Sequence, residues 1–375
     1  AIKESAPVWV APPELTLRGT YGQPSSAPVV LMLRNAGGAN LVWTAESDAP
    51  WLRFDPPGGS ADGEPAAITI DADLTGLPLG VYPATVVLRA DRPDVPALSI
   101  PLRLAVGEHY LVSADGRGDF TSIQPAIAAA PPGTLIEVAP GHYTENLAID
   151  GRWVELCSLA PADPTVVRAT VVDGGGSGPV ITFSGSEKSE TAVRGLTVTN
   201  AGSSASGAIT VAGSYVTRYA RPIIEHCLIT RNSCAAVRYM AGTIADCEIS
   251  NNYATGTDGT ISYCRGTILR CTFSGNTAHV GGGLGNFYGR VADCFFVGNQ
   301  AIAAREAGGA LGGCYGDITD CVFLNNLAHW VGVSPRPCGG AIADCGGVLR
   351  DCIVAGNYAD DAGGGIDDWR GLIER

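Results

Sequence analysis

The sequence predicts an all-β chain: a right-handed parallel β-helix (a β-solenoid) behind an N-terminal β-sandwich. Three observations predict it. Glycine supplies 50 of 375 residues, apolar residues make up 46% and charged residues only 16%. That is the composition of many short strands joined by tight turns, not of long helices or a disordered chain. The first 107 or so residues alternate apolar runs with Gly/Pro/Asp clusters at the spacing of a sandwich. From about residue 195 onward, a cysteine–apolar–asparagine triplet recurs in fixed register.

The first region, residues 1–107, is read as the sandwich with an extended N-terminal arm, Ala1–Val10. Strands are expected at Val29–Leu33, Leu41–Thr44, Ala67–Ile70, Tyr82–Leu88 and Leu98–Val106. Turn clusters such as Asp55-Pro56-Pro57-Gly58-Gly59 separate them. The region has no cysteine, so no disulfide joins its sheets. The segments Asp48-Ala49-Pro50-Trp51-Leu52, Leu79-Gly80-Val81-Tyr82-Pro83-Ala84-Thr85-Val86 and Ile100-Pro101-Leu102-Arg103-Leu104 resemble bacterial immunoglobulin-like modules of the BACON type. The resemblance implies an accessory module or spacer of the kind found beside carbohydrate-active and surface proteins.

Residues 108–150 read as a cap. A turn at Asp115-Gly116-Arg117-Gly118 leads into an amphipathic helix with Ile123, Ile127 and Ala130 on one face. Pro131-Pro132-Gly133 ends it, and a strand follows at Thr134–Val138. The segment resembles the N-terminal cap of pectin-lyase-like β-helices, pectin methylesterases included. Such a cap covers apolar side chains and strand edges that the first coil would otherwise expose.

Residues 151–375 are read as the coils. Cys227, Cys247, Cys271, Cys294, Cys321 and Cys352 open equivalent strands. An apolar residue stands two places on, from Ile229 to Val354, and Asn232, Asn252, Asn276, Asn299, Asn326 and Asn357 stand five places on. Successive cysteines are 20, 24, 23, 27 and 31 residues apart, so the length variation sits in one loop per coil. Parallel coils stack at about 4.8 Å. Cys and the residue two places on then point into the core. Asparagine at the bend is expected to take the left-handed conformation and to bond its copies in a ladder.

A second inward row, Ala220, Met240, Cys264, Phe287, Cys314 and Cys345, stands seven residues before each ladder cysteine. Two places further on, glycine recurs (Gly242, Gly266, Gly289, Gly316, Gly347), as a positive-φ turn would need. Nine of the twelve cysteines thus belong to inward rows and are expected as buried free thiols, while Cys234 and Cys338 fall in loops and are the better disulfide candidates. Gly281-Gly282-Gly283-Leu284, Gly308-Gly309-Ala310-Leu311, Gly339-Gly340-Ala341-Ile342 and Gly363-Gly364-Gly365-Ile366, with Phe-x-x-Asn at Phe273, Phe296 and Phe323, resemble the repeats of chlamydial polymorphic outer-membrane proteins. That resemblance implies a β-helical adhesin. This chain departs from it in its cysteine ladder and in having no membrane β-barrel segment.

The net charge of −13 and the lack of a Lys/Arg cluster exclude a nucleic-acid binder. No apolar run is long enough to span a membrane. An opening at Ala1 fits a mature secreted chain, so an extracellular or cell-surface location is expected. No CxxC, nucleophile elbow, P-loop or dinucleotide fingerprint occurs, and no cofactor or metal is expected. His279 and His329 occupy equivalent positions two coils apart, about 9–10 Å, too far for one metal ion. Asp246, Asp293, Asp320 and Asp351 precede ladder cysteines and are expected to face outward, with Arg270 interrupting the row. Asp360, Asp361, Asp367 and Asp368, near Arg370, are the one candidate group for a ligand or cation. No catalytic constellation is recognisable. The reading that follows is a non-enzymatic extracellular structural or adhesive solenoid. Its expected partners are head-to-tail copies of itself, in a filament or surface layer, or a cell-surface or matrix polysaccharide. The alternative is a polysaccharide lyase or glycoside hydrolase of the pectin-lyase-like fold, with the sandwich as a carbohydrate-binding accessory.

Overall fold

The structure is a computed structural model. It describes residues 9–10, 12, 14–35, 41–61, 65–92, 95–187, 191–203, 207–212, 220–254, 259–303, 307–330, 338–360 and 363–374. The chain divides into two compact units, Ala1–His109 with Ala130–Leu135, and Tyr110–Ala129 with Ile136–Arg375.

The first unit is a β-sandwich. Its four-stranded sheet runs Trp9–Val10, Val29–Asn35, Ala66–Ala72, Leu52–Asp55, all antiparallel. Its five-stranded sheet runs Leu15–Thr20, Leu98–Gly107, Gly80–Ala90, Leu41–Ser47, Gly58–Ala61, with only the first pair parallel. Alternate residues of both sheets, among them Leu31, Ile68, Ile70, Trp43, Val86 and Leu102, fill one core. The quoted segments meet inside this unit: Trp51 packs edge-on against Tyr82 with ring centroids 6.4 Å apart, and the Thr85 N–H donates to Asp48 Oδ1 at 2.9 Å. Of the expected N-terminal arm, Trp9–Val10 already pairs with Val29–Asn35 of its own sheet. Residues 1–8 of that arm lie outside the described residues.

The second unit is a parallel β-solenoid of about nine turns. One nine-stranded sheet begins at Gly141–Thr144 and ends at Ile353–Ala355, each strand pairing in parallel with the one a coil later. A five-stranded sheet from Tyr253–Ala254 to Tyr358–Ala359 flanks it. The remaining strands join a continuous parallel sheet that closes each coil. Helix α1, Ile123–Ala129, buries Ile123, Ala126 and Ile127. Its first N–H groups, those of Ile123 and Gln124, donate to the Glu145 carboxylate at 2.8 Å each, so a coil residue caps the helix. A second helix, α2, Pro164–Ala169, is not apparent in the apolar periodicity. It rests on local chemistry: Asp163 accepts the Thr165 N–H at 2.8 Å, and Pro164 opens the first turn.

The core columns follow the triplet. Cys227, Cys247, Cys271, Cys294 and Cys321 are buried, and Cys352 in the last coil is half-buried. The Cys227 and Cys271 N–H groups each donate to the next cysteine's Sγ at 3.4 Å. Phe273, Phe296 and Phe323 stack at 4.6 and 5.0 Å with nearly parallel rings. Each ladder asparagine from Asn232 to Asn326 donates through Nδ2 to the Oδ1 of the next at 2.9–3.0 Å. Asn357 accepts the last of these bonds.

The structure corrects the expected backbone of that ladder. The left-handed residues are not the asparagines but their predecessors, Arg231, Asn251, Gly275, Gly298, Asn325 and Gly356. The same conformation recurs directly before each ladder cysteine (His226, Asp246, Arg270, Asp293, Asp320, Asp351), before the second inward row from Met240 to Cys345 (Tyr239, Tyr263, Asn286, Gly313, Asp344), and at Asp368, before Trp369, the register partner of Cys345. Each coil therefore turns three corners, and the residue after each corner points inward. Asp, Asn and Gly dominate the corners because they enter this conformation at least strain. The recurrent glycine has a second cause besides positive φ. At Gly316, φ is +149°, and an added Cβ would lie 1.9 Å from the Gly289 carbonyl oxygen of the preceding coil.

All twelve cysteines are free thiols. Cys234 and Cys338, expected in loops and available for a disulfide, are instead buried, Cys338 among Ala301, Ala307, Ala328 and Ala359. Cys338 aligns with Ala307 directly before the double glycine, an inward position that only a small side chain fits. Among the described residues, no helix is long and apolar enough to cross a membrane.

Candidate functional site

With the interior occupied by ladders, ligand chemistry is confined to the outward residues. On the nine-stranded sheet these form two columns. In the first six coils the columns are mostly polar: His142, Thr197, Glu248 and Thr272 in one, Asp173, Thr199, Thr230 and Ser250 in the other. In the last three coils the same columns turn apolar, with Phe295, Val322 and Ile353 beside Val297 and Leu324.

The polar half holds two adjoining clefts of about 240 and 530 Å³ that share Arg168, Leu228 and Glu248. Helix α2 overhangs them, and the Thr197 hydroxyl anchors it by donating to the Val167 carbonyl at 2.8 Å. Arg168, in its last turn, reaches across to Glu248 at 3.3 Å. Both side chains are largely exposed, so this pair contributes little to stability and opens easily. His142 Nε2 lies 3.2 Å from Asp173 Oδ2. The other oxygen of Asp173 accepts the Gly175 N–H at 2.8 Å and Asn200 Nδ2 at 2.7 Å, which fixes the carboxylate. Ser250 Oγ lies 3.2 Å from Thr230 Oγ1 and 3.3 Å from Glu248 Oε1. At one end Arg270 grips Asp246 through two bonds of 2.7 and 2.6 Å, and these hold the Asp246 carboxyl below its usual range. Hydroxyl, carboxylate and guanidinium groups thus line a floor containing Leu228, an arrangement suited to a polyhydroxylated ligand.

The described members of the candidate acidic group, Asp360, Asp367 and Asp368, are not brought together. Asp360 Oδ2 lies 2.6 Å from His329 Nδ1, in the column that also carries Ile302. Asp368 is a corner residue that pairs with Arg370, which also reaches Asp344 at 3.1 Å. Asp367 pairs in register with Ala343 of the coil before. Asp361 lies outside the described residues. Among the described residues, no cluster of three or more metal-capable side chains occurs. The clefts escaped the sequence reading because their first coils lack the cysteine triplet. Two signals were present: the alternation Thr197-Val198-Thr199, and the helix start Asp163-Pro164.

The fold and these faces define a β-solenoid protein carrying a β-sandwich module. Residues 9–95 match the sequence model of the viral BACON domain, so the sandwich is of BACON type. No curated protein matches the chain. Solved structures similar to it include the PapD-like domain 7 of human CEP192, at 18% identity over 26% of this chain and 82% of that one. The CsuC–CsuE chaperone–tip adhesion subunit complex of Acinetobacter baumannii pili matches at 12% identity over 27% of this chain and 57% of that one. The Bacteroides ovatus GH5 xyloglucanase matches at 10% identity over 48% of this chain and 55% of that one. Each has a TM-score of 0.22.

Proposed function

We propose that this protein is a non-enzymatic extracellular adhesive solenoid that binds a surface or matrix polysaccharide along its polar outer face. The observation that carries this reading is the hydroxyl- and carboxylate-lined pair of clefts beneath α2, which runs across six coils, about 24 Å. A linear polymer lying along the axis meets a new set of side chains at every coil. The test is a glycan array probed with the full chain and with Arg168→Ala/Glu248→Ala. Binding of a polysaccharide that the double variant loses supports the reading. An array with no bound glycan overturns it.

Head-to-tail assembly into a filament or surface layer belongs to the same reading. Sedimentation velocity over a hundredfold concentration range tests it, and a constant monomer mass refutes it. The kinship to pectin-lyase-like β-helices is supported by the capping helix α1. Kinship to polymorphic outer-membrane proteins is supported by the recurrent double glycine. The enzymatic alternative draws on one observation, the His142–Asp173 pair beside the larger cleft. Release of reducing ends or unsaturated products from polysaccharides that bind, lost in His142→Ala, would favour it.

The thiols bear on how such a protein reaches the exterior. Twelve free cysteines in an unfolded chain pair at random under oxidising conditions, and a mispaired disulfide blocks coil stacking. The chain therefore completes its solenoid in a reducing compartment and is exposed outside already folded. Refolding with and without a thiol reductant tests this, with native yield expected only in its presence.

A further inference from the structure

The two clefts beneath α2 meet at one ion pair. The smaller, of about 240 Å³, lies against Pro161, Pro164 and Val167, and the larger, of about 530 Å³, runs past His142, Asp173 and Ser250. Arg168, Leu228 and Glu248 line both. Glu248 stands in register with Val171, in the strand that follows α2, but three coils further on, about 14 Å along the axis. The Arg168–Glu248 contact of 3.3 Å therefore crosses the face where one cleft passes into the other, beside Leu228.

The helix is fixed and the pair is not. Besides the Thr197 anchor, the Thr170 hydroxyl donates to the Val166 carbonyl at 2.8 Å. The backbone before the helix packs so closely on Gly195 that a Cβ there would lie 2.3 Å from Pro161 Cα. Arg168 meets Glu248 through one contact, with the two side chains 60% and 44% exposed. Arg270, by contrast, grips Asp246 through two bonds, and Arg194 is 24% exposed between Glu155 and Glu225. An exposed pair held by a single contact gains least from its charges, because water and salt screen them. Glu248 also keeps a partner when it parts from Arg168, since Ser250 Oγ lies 3.3 Å from its Oε1.

We propose that Arg168 and Glu248 form a side-chain gate between the clefts. Paired, they separate the space beneath α2 from the larger cleft. Parted, they join the two into one groove over Leu228, and the freed guanidinium and carboxylate turn to the hydroxyl groups of the ligand. The helix itself stays in place, because its anchors do not involve the pair. A ligand that occupies both clefts must first open the gate, so its observed affinity is lowered by the fraction of molecules in which the gate is closed. Removing the charge attraction while keeping a hydrogen-bonding side chain therefore tightens binding, and removing both side chains weakens it. The inference rests on the glycan-adhesion reading and adds the regulation of that same site.

The experiment has two arms, both on the full chain. Nuclear magnetic resonance of labelled arginine side chains measures how fast each guanidinium turns about its Nε–Cζ bond. Arg168 is expected to turn about tenfold faster than Arg194 and Arg270, which are held by two contacts each. A rate as slow as theirs overturns the gate. The second arm reads a glycan array at graded protein concentrations with the wild-type chain, Glu248→Gln, Arg168→Gln and Arg168→Ala/Glu248→Ala, with thermal melts showing that each is folded. The glutamine variants are expected to bind the glycans that the wild type binds up to about fivefold more tightly, the most that an exposed pair costs to open, while the double alanine variant loses them. Should one glutamine variant fail to fold, the other decides. Unchanged or weaker binding by the glutamine variants overturns the gate and leaves the adhesive reading intact. Binding of no glycan by any of the four chains overturns both.

Discussion

Replacing Asn299 by alanine removes four hydrogen bonds from the middle of the ladder. Its Nδ2 donates to the Phe273 carbonyl at 2.9 Å and to Asn326 Oδ1 at 3.0 Å. Its Oδ1 accepts the Asn276 N–H at 3.2 Å and Asn276 Nδ2 at 2.9 Å. Asn299 is 0% exposed, so water does not replace what is lost. Two backbone groups, the Phe273 C=O and the Asn276 N–H, lose these partners. At about 1–3 kcal/mol for each orphaned group, the expected loss is about 3–5 kcal/mol, a large part of the 5–15 kcal/mol typical of a domain. Asn357 makes the same bonds to the coil before it but is only half-buried, so Asn357→Ala should cost about 1 kcal/mol. Asn299→Asp keeps the acceptor but sets a carboxylate oxygen against the Phe273 carbonyl, and should cost at least as much as alanine. Because neighbouring coils exchange most of the stabilisation in a solenoid, hydrogen exchange of peptides covering residues 273–299 is the suitable assay. Equal opening free energies for the Asn299 and Asn357 variants would show that the ladder bonds do not carry this stability.

Three further outcomes follow from the same interior. Burial pushes the Cys234 and Cys264 thiols up to about 12 from 9.0; the stability they give is complete below pH 9 and falls as pH rises towards 12, because only the unfolded chain ionises. At pH 11 each should have lost about 2–3 kcal/mol, seen as a melting temperature that drops steeply above pH 9 and is restored in part by Cys264→Ala. At pH 8, a thiol reagent should label Cys352 first in the native protein and all twelve cysteines only after denaturation; fast native labelling of Cys271 or Cys294 would contradict the described burial. Gly316→Ala should destabilise by at least about 3 kcal/mol through contact with the Gly289 carbonyl, whereas Gly298→Ala, with φ +62° and open space around it, should cost only the 1–2 kcal/mol or so of left-handed strain in a thermal melt.

The solenoid was legible because stacking like on like forces identity between coils. A thiol, an aromatic ring or a carboxamide works in a column only if its neighbours match it, so Cys271, Phe273 and Asn276 announce themselves by recurring. The corners were harder to read. Aspartate, arginine and histidine all occupy the position before the ladder cysteine, because the backbone there asks for a conformation rather than a side chain. Arg270, which interrupts the aspartate row, pairs with Asp246, but their shared left-handed geometry is what makes the position recur. Cys338 was read as a loop residue because the residues before it vary, although it already occupies an inward site. The clefts beneath α2 were illegible for the opposite reason: Arg168 and Glu248 lie 80 residues apart and repeat nothing.

That contrast also says where function resides. Every inward column is constrained by its neighbours, while the outward columns and corners are free to change from coil to coil, and they do change. The apolar end of the outer face spans two columns about 7 Å apart over three coils of about 4.8 Å, so its area is on the order of 200 Å². A stable interface needs about 800 Å² on each partner, so this patch alone holds no second copy. The polar end offers clefts twice as long, with side chains held by neighbours yet mostly open to exchange. On the proposed adhesive reading, recognition falls to the residues that do not repeat, and in the clefts those are Arg168, Asp173 and Glu248.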